Sequence, residues 1–319
     1  MNRIKLAFVA SVLGAVFFLA CGKNSTAPTP PAPGNINIRL SAATLSFGEV
    51  IVGDRKDSTL VVENLSNSNG SLAGNLSVSG PNFSIAGDAT FNVSPGQTKS
   101  FVIRFSPTST GAFSGSIAIT HNANNQTSPA SITLNGAGDD KAAAIKTLIQ
   151  SGWQAFAAKD YANAEARFGQ AIPLAQLSVI YDSLHAEALS GRGWAKAYRR
   201  NFFPAKNDFT ESLTHAKRGV RTDLSAKAGL ALVHHALNEF AAAIPRALEV
   251  VNSSPNYAFE HDAKVTFKRL RLLLAQSYYT LGDFPKAAEQ LDILDPPGRP
   301  HSTDPVILLQ QIQDWWGKI

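Results

Sequence analysis

Leu148-x3-Gly152-Trp153 recurs 41 residues later as Leu189-x3-Gly193-Trp194, and "KDYANAEARF" (159–168) is matched by "RNFFPAKNDF" (200–209). In both copies an alanine follows the glycine by 12 residues (Ala164, Ala205) and a phenylalanine follows that alanine by four (Phe168, Phe209). Two looser copies set Ala231 against Ala243 and Ala275 against Ala287, again 12 apart. Small residues at that spacing suit two antiparallel helices crossing closely, with Gly152, Gly193, Ala231 and Ala275 of each first helix expected to face the alanines of the second. Tyr161, Phe202, Phe240 and Phe284, each three before the second alanine, are placed to plug the turns. A single helix pair cannot bury its apolar face, but four stack into one continuous core. That restricts the second half of the chain to an all-α solenoid.

These residues resemble the tetratricopeptide repeat over about 142–296. The alanines recur at intervals of 41, 38 and 44, longer than that family's usual spacing, so the extra residues are expected to lengthen second helices or loops, as in "QLSVIYDSLHAE" (176–187). Residues 302–319, with Pro305 near a helix start, read as a capping helix. The resemblance implies a concave groove lined by first helices. Its inward positions would be Ile149, Trp153 and Phe156, then Trp194 and Tyr198, then Leu232 and His235, then Gln276 and Tyr279. Repeats that clamp a terminal carboxylate place Lys and Asn at comparable positions, and this chain does not. An aromatic groove suits an extended or apolar peptide segment, because Tyr and Trp give large contact area at low entropic cost. Trp153 and Trp194 could equally pack between neighbouring repeats.

Near Gly138 the composition changes. Upstream, "STLVVEN", "SFVIRFSP", "GSIAITHN" and "SITLNGAG" alternate apolar and polar residues, as half-buried strands require. Short strands punctuated by turns such as "SPGQ" (94–97) point to a β-sandwich. "LSFGEVIVGD" (45–54), Asn64, "GPNFSIAG" (80–87) and "FVIRFSPTSTGAFSGSIAI" (101–119) resemble immunoglobulin-like modules of the ASPM, SPD-2 and Hydin type over 36–138. Phe47, Phe83, Phe101 and Phe105 read as core, and Gly48, Gly53, Gly111 and Gly115 as turn positions. That resemblance brings no catalytic residues and implies a spacer or a protein-contact surface. The boundary falls in "NGAGDDKAA" (135–143), where Gly136 and Gly138 would end a strand and Asp139 or Asp140 would cap a helix.

The N-terminus carries Arg3 and Lys5, then an apolar segment of 15 residues over 6–20, too short for an ordinary membrane span of roughly 20. Charge, apolar run and a small residue before the cut read as a secretory leader over 1–20. Phe18-Leu19-Ala20-Cys21 resembles a bacterial lipobox, with Phe18 departing from its usual aliphatic residue. The resemblance implies acylation of Cys21, the chain's single cysteine, and anchorage in a lipid bilayer by two or three acyl chains. Gly22 lacks the Asp that marks retention in the inner membrane, which points to the outer membrane. Residues 21–35 are rich in proline and read as an extended tether reaching on the order of 40 Å.

The net charge of +5 is spread thinly. Residues 36–138 hold five basic and five acidic side chains, and 139–319 hold 21 and 19. No dense basic stripe suggests nucleic acid as a partner. His235 and Glu239, at i and i+4 beside His234, offer two metal ligands without a third. No nucleophile elbow, zinc helix or phosphate loop appears, so the sequence asks for neither a catalytic role nor a cofactor. The expectation is a lipid-anchored envelope adaptor, with solenoid segments over 139–301, whose partner is an envelope protein or peptide segment. A permanent subunit of an envelope assembly and a cell-wall carbohydrate binder are the alternatives.

Overall fold

The computed structural model describes residues 34–318. The leader, Cys21 and most of the tether lie outside the described residues.

The first nine strands form two facing sheets. One has the order β1 (Ile38–Leu40), β3 (Lys56–Asn64), β7 (Thr98–Phe105), β5 (Phe83–Ala86). The other runs β2 (Thr44–Ile51), β9 (Ala130–Asp139), β8 (Gly111–His121), β4 (Leu72–Ser79), β6 (Thr90–Val93). Alternation sets the inward face: Leu60 sits opposite Phe101 across β3 and β7, and Ile117 opposite Ile132 across β8 and β9, all four buried. All four phenylalanines read as core are buried. Phe83 stacks on Phe105 at 4.8 Å, and Phe47 meets both at 5.7 Å. Asn64 closes one end, donating from Nδ2 to the carbonyls of Gly70 (2.9 Å) and Val93 (2.8 Å). Gly48, Gly53 and Gly111 have positive φ, Gly48 at a register shift inside β2 and Gly111 at the start of β8, but Gly115 lies well within β8 without it. There a side chain would overlap the Ser79 carbonyl and press within 3.0 Å of the Phe83 ring, so Gly115 is a point of close approach and not a turn.

The strand β9 runs through Gly136 and Gly138, and helix α1 (Ala142–Ala157) begins three residues after it ends. Asp140 accepts from the Ala142 amide at 2.8 Å and from the Tyr181 hydroxyl at 3.1 Å, while Tyr181 accepts from the Lys141 amide at 2.9 Å. Sandwich and helices therefore share a hydrogen-bonded joint, against which Ile51 also packs.

The helical pairs are α1 with α2 (Tyr161–Ala175), α3 (Asp182–Tyr198) with α4 (Phe202–Ser212), α5 (Val220–Ala236) with α6 (Phe240–Ser253), and α7 (Phe267–Thr280) with α8 (Phe284–Leu294). Each first helix also touches the next first helix, and α9 (Pro305–Trp316) continues that inner row against α7. The room beside Gly152 and Gly193 is not taken up by the facing alanines alone. The Phe168 ring fits between Gly152 and Gly191, and the Phe209 ring between Gly193 and Gly229; a methyl on Gly152 or Gly193 would sit 2.7 or 2.8 Å from the ring. Each glycine pair comes from two successive first helices, so one ring locks two repeats together.

Four identical turns join the pairs. Lys159, Arg200, Asn238 and Gly282 all have φ between 61° and 80°. The amide of each bonds the carbonyl three residues back and the following amide the carbonyl five back, as with Lys159 to Phe156 and Asp160 to Ala155. This is the Schellman arrangement, which favours glycine at the left-handed position. Gly282→Ala is expected to destabilise the solenoid by about 1 kcal/mol in urea unfolding, whereas Arg200→Gly, which removes the same strain, should be neutral or mildly stabilising.

The intervals between repeats have a structural cause. Residues 176–181 form a loop ending in a 3-10 turn (Val179–Tyr181), and "DSLHAE" opens the first helix α3, not a second helix. The longest interval, 44 residues, contains a β-hairpin of β10 (Ala258–Phe259) and β11 (Asp262–Thr266) between α6 and α7.

Candidate binding groove

The inner row of first helices brings Trp153, Phe156, Trp194 and Tyr198 together, around a ring that sequence reading did not assign. Phe259, at the end of β10, stacks on Trp194 with centroids 4.3 Å apart and planes 19° apart. It meets Trp153 edge-on at 6.0 Å and Phe156 at 6.3 Å. At the hairpin tip His261 lies flat on Trp153 at 3.7 Å. Next to it the Tyr198 hydroxyl donates to the Asp262 carboxylate. The groove is roofed by the chain's own hairpin.

That roof corrects the expectation that these aromatics stand open. Trp194 is 1% exposed and Phe156 3%. Trp194 also donates from Nε1 to Ser225 Oγ at 2.8 Å, as a satisfied core tryptophan does. His235 and Tyr279 lie elsewhere: each packs on the ring that opens the following helix, His235 on Phe240 at 5.2 Å and Tyr279 on Phe284 at 5.4 Å. Phe156 and Tyr161 repeat that pairing in the first repeat, at 5.2 Å. The expected ligand pair is also rearranged, because His234 and not His235 meets Glu239, which Lys206 holds as well at 2.8 Å. Among the described residues no group of three His, Cys, Asp or Glu could hold a metal ion.

Two adjoining cavities lie beside the hairpin. One of about 480 Å³ is lined by Ser190, Ser225 and Tyr257, the other of about 530 Å³ by Lys146 and Gln150, and both reach Trp153, Glu187, Arg221, Glu260 and His261. Arg221 pairs with Glu260 at 2.6 Å and His261 Nε2 with the same carboxylate at 3.0 Å. Burial raises the Glu187 carboxyl above its ordinary value. It also lifts the Tyr198 hydroxyl, with Asp262 adding to the effect, so Tyr198 is a donor at any physiological pH.

Burial lowers the His261 imidazole below its ordinary 6.5, and Glu260 offsets only part of that. A histidine depressed in the folded state leaves stability intact above the unfolded value and removes it as pH falls through the folded value. The hairpin is therefore expected to loosen in acid. His185 and His235 are depressed by burial in the same direction, so the His261 share is read by difference. His261→Phe, which keeps the stack, should give a shallower loss of the urea midpoint between about pH 7 and 5 than the unsubstituted chain.

Sequence reading missed Phe259, His261 and Asp262 because they lie inside a helical region. The signal was there in "NYAFEHDAKVTF" (256–267), where Tyr257, Phe259, His261, Val265 and Phe267 fall on alternate positions after the turn-forming Ser254-Pro255.

Among the described residues no helix is long and apolar enough to cross a membrane. None of the curated proteins compared with this chain matches it. Among solved structures, MamA from AMB-1 is 15% identical over 55% of this chain and 82% of its own, with a TM-score of 0.40. A tetratricopeptide repeat protein from Parabacteroides merdae is 13% identical over 55% of this chain and 61% of its own, also with a TM-score of 0.40. The ASH/PapD-like domain 7 of human CEP192 is 13% identical over 36% of this chain and 92% of its own, with a TM-score of 0.30. The family model for Cep192 domain 4 matches residues 35–139. The chain joins an immunoglobulin-like sandwich of two sheets to a helical solenoid of tetratricopeptide type.

Proposed function

We propose that this chain is a lipid-anchored adaptor of the cell envelope, held to the outer membrane through Cys21 and recruiting a protein segment on the inner row of the solenoid. The observation that carries the binding half is that this row already holds an extended segment, the hairpin, by aromatic stacking on Trp153 and Trp194. The anchoring half rests on the leader and the lone cysteine. Tethering to a surface raises the effective concentration of partners on that surface, which is how such an adaptor would act.

A photoreactive residue at Gln150, on the inner row, should trap one defined partner in intact cells. The same residue at Gln170, exposed on α2, or Lys99, exposed on β7, should not. Trapping from Lys99 alone would transfer the function to the sandwich. Cys21→Ser should abolish incorporation of labelled fatty acid and release the protein from the membrane fraction; persistence of both would remove the anchor.

A permanent structural subunit is the second reading. It is favoured by the outer face of α9, where Val306 is 79% and Ile307 53% exposed at the end of the solenoid. Trapping from Val306 in place of Gln150 would support it.

A further inference from the structure

We propose that the hairpin is a built-in stand-in for the partner, and that the segment which replaces it carries an aromatic residue followed within three positions by carboxylates. This rests on the inner row being the working surface. The slot belongs to the solenoid, since Trp153, Phe156, Trp194 and Tyr198 come from α1 and α3, whereas the ring filling it comes from an insertion between α6 and α7. Beside the slot stand two donors. Arg221 takes Glu260, the residue after the aromatic, and the Tyr198 hydroxyl takes Asp262, three after it. An aromatic side chain with acidic residues at those spacings is what the groove recognises in its own chain.

The hairpin segment is anchored by Tyr257, Phe259 and Val265, which are buried in the helical core, and its remaining contacts are weak. One strand of the hairpin is two residues long, and an isolated two-stranded hairpin is marginal in water. The Arg221–Glu260 pair is exposed on both sides, where ion pairs contribute little. The Tyr257 hydroxyl is buried with no hydrogen-bond partner, an unmet group that lifting the hairpin would return to water. Adjoining cavities of about 480 and 530 Å³ remain beside the hairpin tip, so a longer segment has room for contacts the hairpin lacks.

The test uses full-length protein in detergent and a fluorescent peptide of residues 254–266, SPNYAFEHDAKVT. In one variant, residues 256–265 are replaced by a Gly/Ser linker of equal length; in another, the change is Phe259→Ala. The linker variant should bind the peptide saturably, and the intact chain at least about tenfold more weakly, because apparent affinity scales with the fraction of open groove. Phe259→Ala should lie between. Peptides carrying F259A, or E260K with D262K, should lose about tenfold or more on the linker variant, by the same free-energy scale on which 1.4 kcal/mol is tenfold.

Equal binding by intact and linker chains overturns the proposal, as does indifference to F259A in the peptide or absence of binding by a linker variant of unchanged helical circular dichroism. If the linker variant does not fold, Phe259→Ala alone must bind more tightly than the intact chain, and failure there overturns it too. A dimer of the intact chain that the peptide dissolves would assign the slot to a second copy's hairpin and overturn the heterologous partner. Partner trapping from Gln150 is independent of all these arms, so the adaptor reading can survive when the stand-in fails.

Discussion

Phe209→Ala is expected to cost about 3–5 kcal/mol of solenoid stability, the range for removing a fully buried aromatic ring. The ring is fully buried, lies edge-on to Trp194 at 5.5 Å, and is cupped by Gly193 and Gly229, neither of which has a side chain that could close the cavity. Because each repeat contacts mainly its neighbours, the loss should fall on the helical transition and leave the unfolding of the sandwich where it was. Gly229→Ala tests the same contact from the other side. In an ordinary helix interior this change is stabilising by about 1 kcal/mol. Here the new methyl would overlap the Phe209 ring, and overpacking of about 1–3 kcal/mol reverses the sign. Phe209→Leu in the Gly229→Ala background should recover part of the loss. A stabilising Gly229→Ala, measured by urea unfolding followed by circular dichroism, would mean that the ring does not occupy the space between successive first helices.

The same contact shows how far the sequence could be read. Gly152 and Gly193, with Ala164 and Ala205 twelve residues on, announced the helix pairs, and Phe168 and Phe209 were visible at fixed offsets from those alanines. Their meaning was not. Pairing each glycine with one ring needs the stacking of neighbouring repeats, because Gly191 and Gly229 come from the next repeat and sit outside the repeated motif. The left-handed turns were hidden for another reason: only Gly282 carries the expected residue, while Lys159 and Arg200 adopt the conformation against their intrinsic preference. In the sandwich, alternation sufficed for strands and core, and it failed at Gly115, where the constraint is a neighbouring strand and not the local backbone.

For the groove the ambiguity was physical. A stripe of aromatics at helical spacing looks the same whether it awaits a partner or lies under another part of the chain. What separates the two is the covering segment, and for Trp153 and Trp194 that segment is the hairpin that lengthens the third repeat interval. His235 and Tyr279 were misplaced for a related cause. They occupy the same repeat position as Phe156 and serve the turn, a role shared by Tyr161, Phe240 and Phe284 opposite them.

Trp194→Ala is expected to remove about 3–5 kcal/mol, as large a loss as at Phe209. It deletes a ring that is 1% exposed, its hydrogen bond to Ser225, and the surface on which Phe259 stacks. Phe259→Ala should cost less, since a hairpin can settle into the vacated slot more readily than a helix can. If the two rings stabilise each other, the double variant will lose less than the sum of the singles, by about 0.5–1.5 kcal/mol, the coupling typical of a stacked aromatic pair. Trp194→Phe keeps the stack and gives up the Ser225 bond, so its loss should be near 1 kcal/mol. A Trp194 that served only to contact a partner would behave differently: its alanine variant would unfold at the same urea concentration as the parent, and its effects would not couple to Phe259. Loss of stability with coupling identifies Trp194 as the floor on which the hairpin rests, and leaves Trp153, Tyr198 and Arg221 as the side chains a displacing segment would meet first.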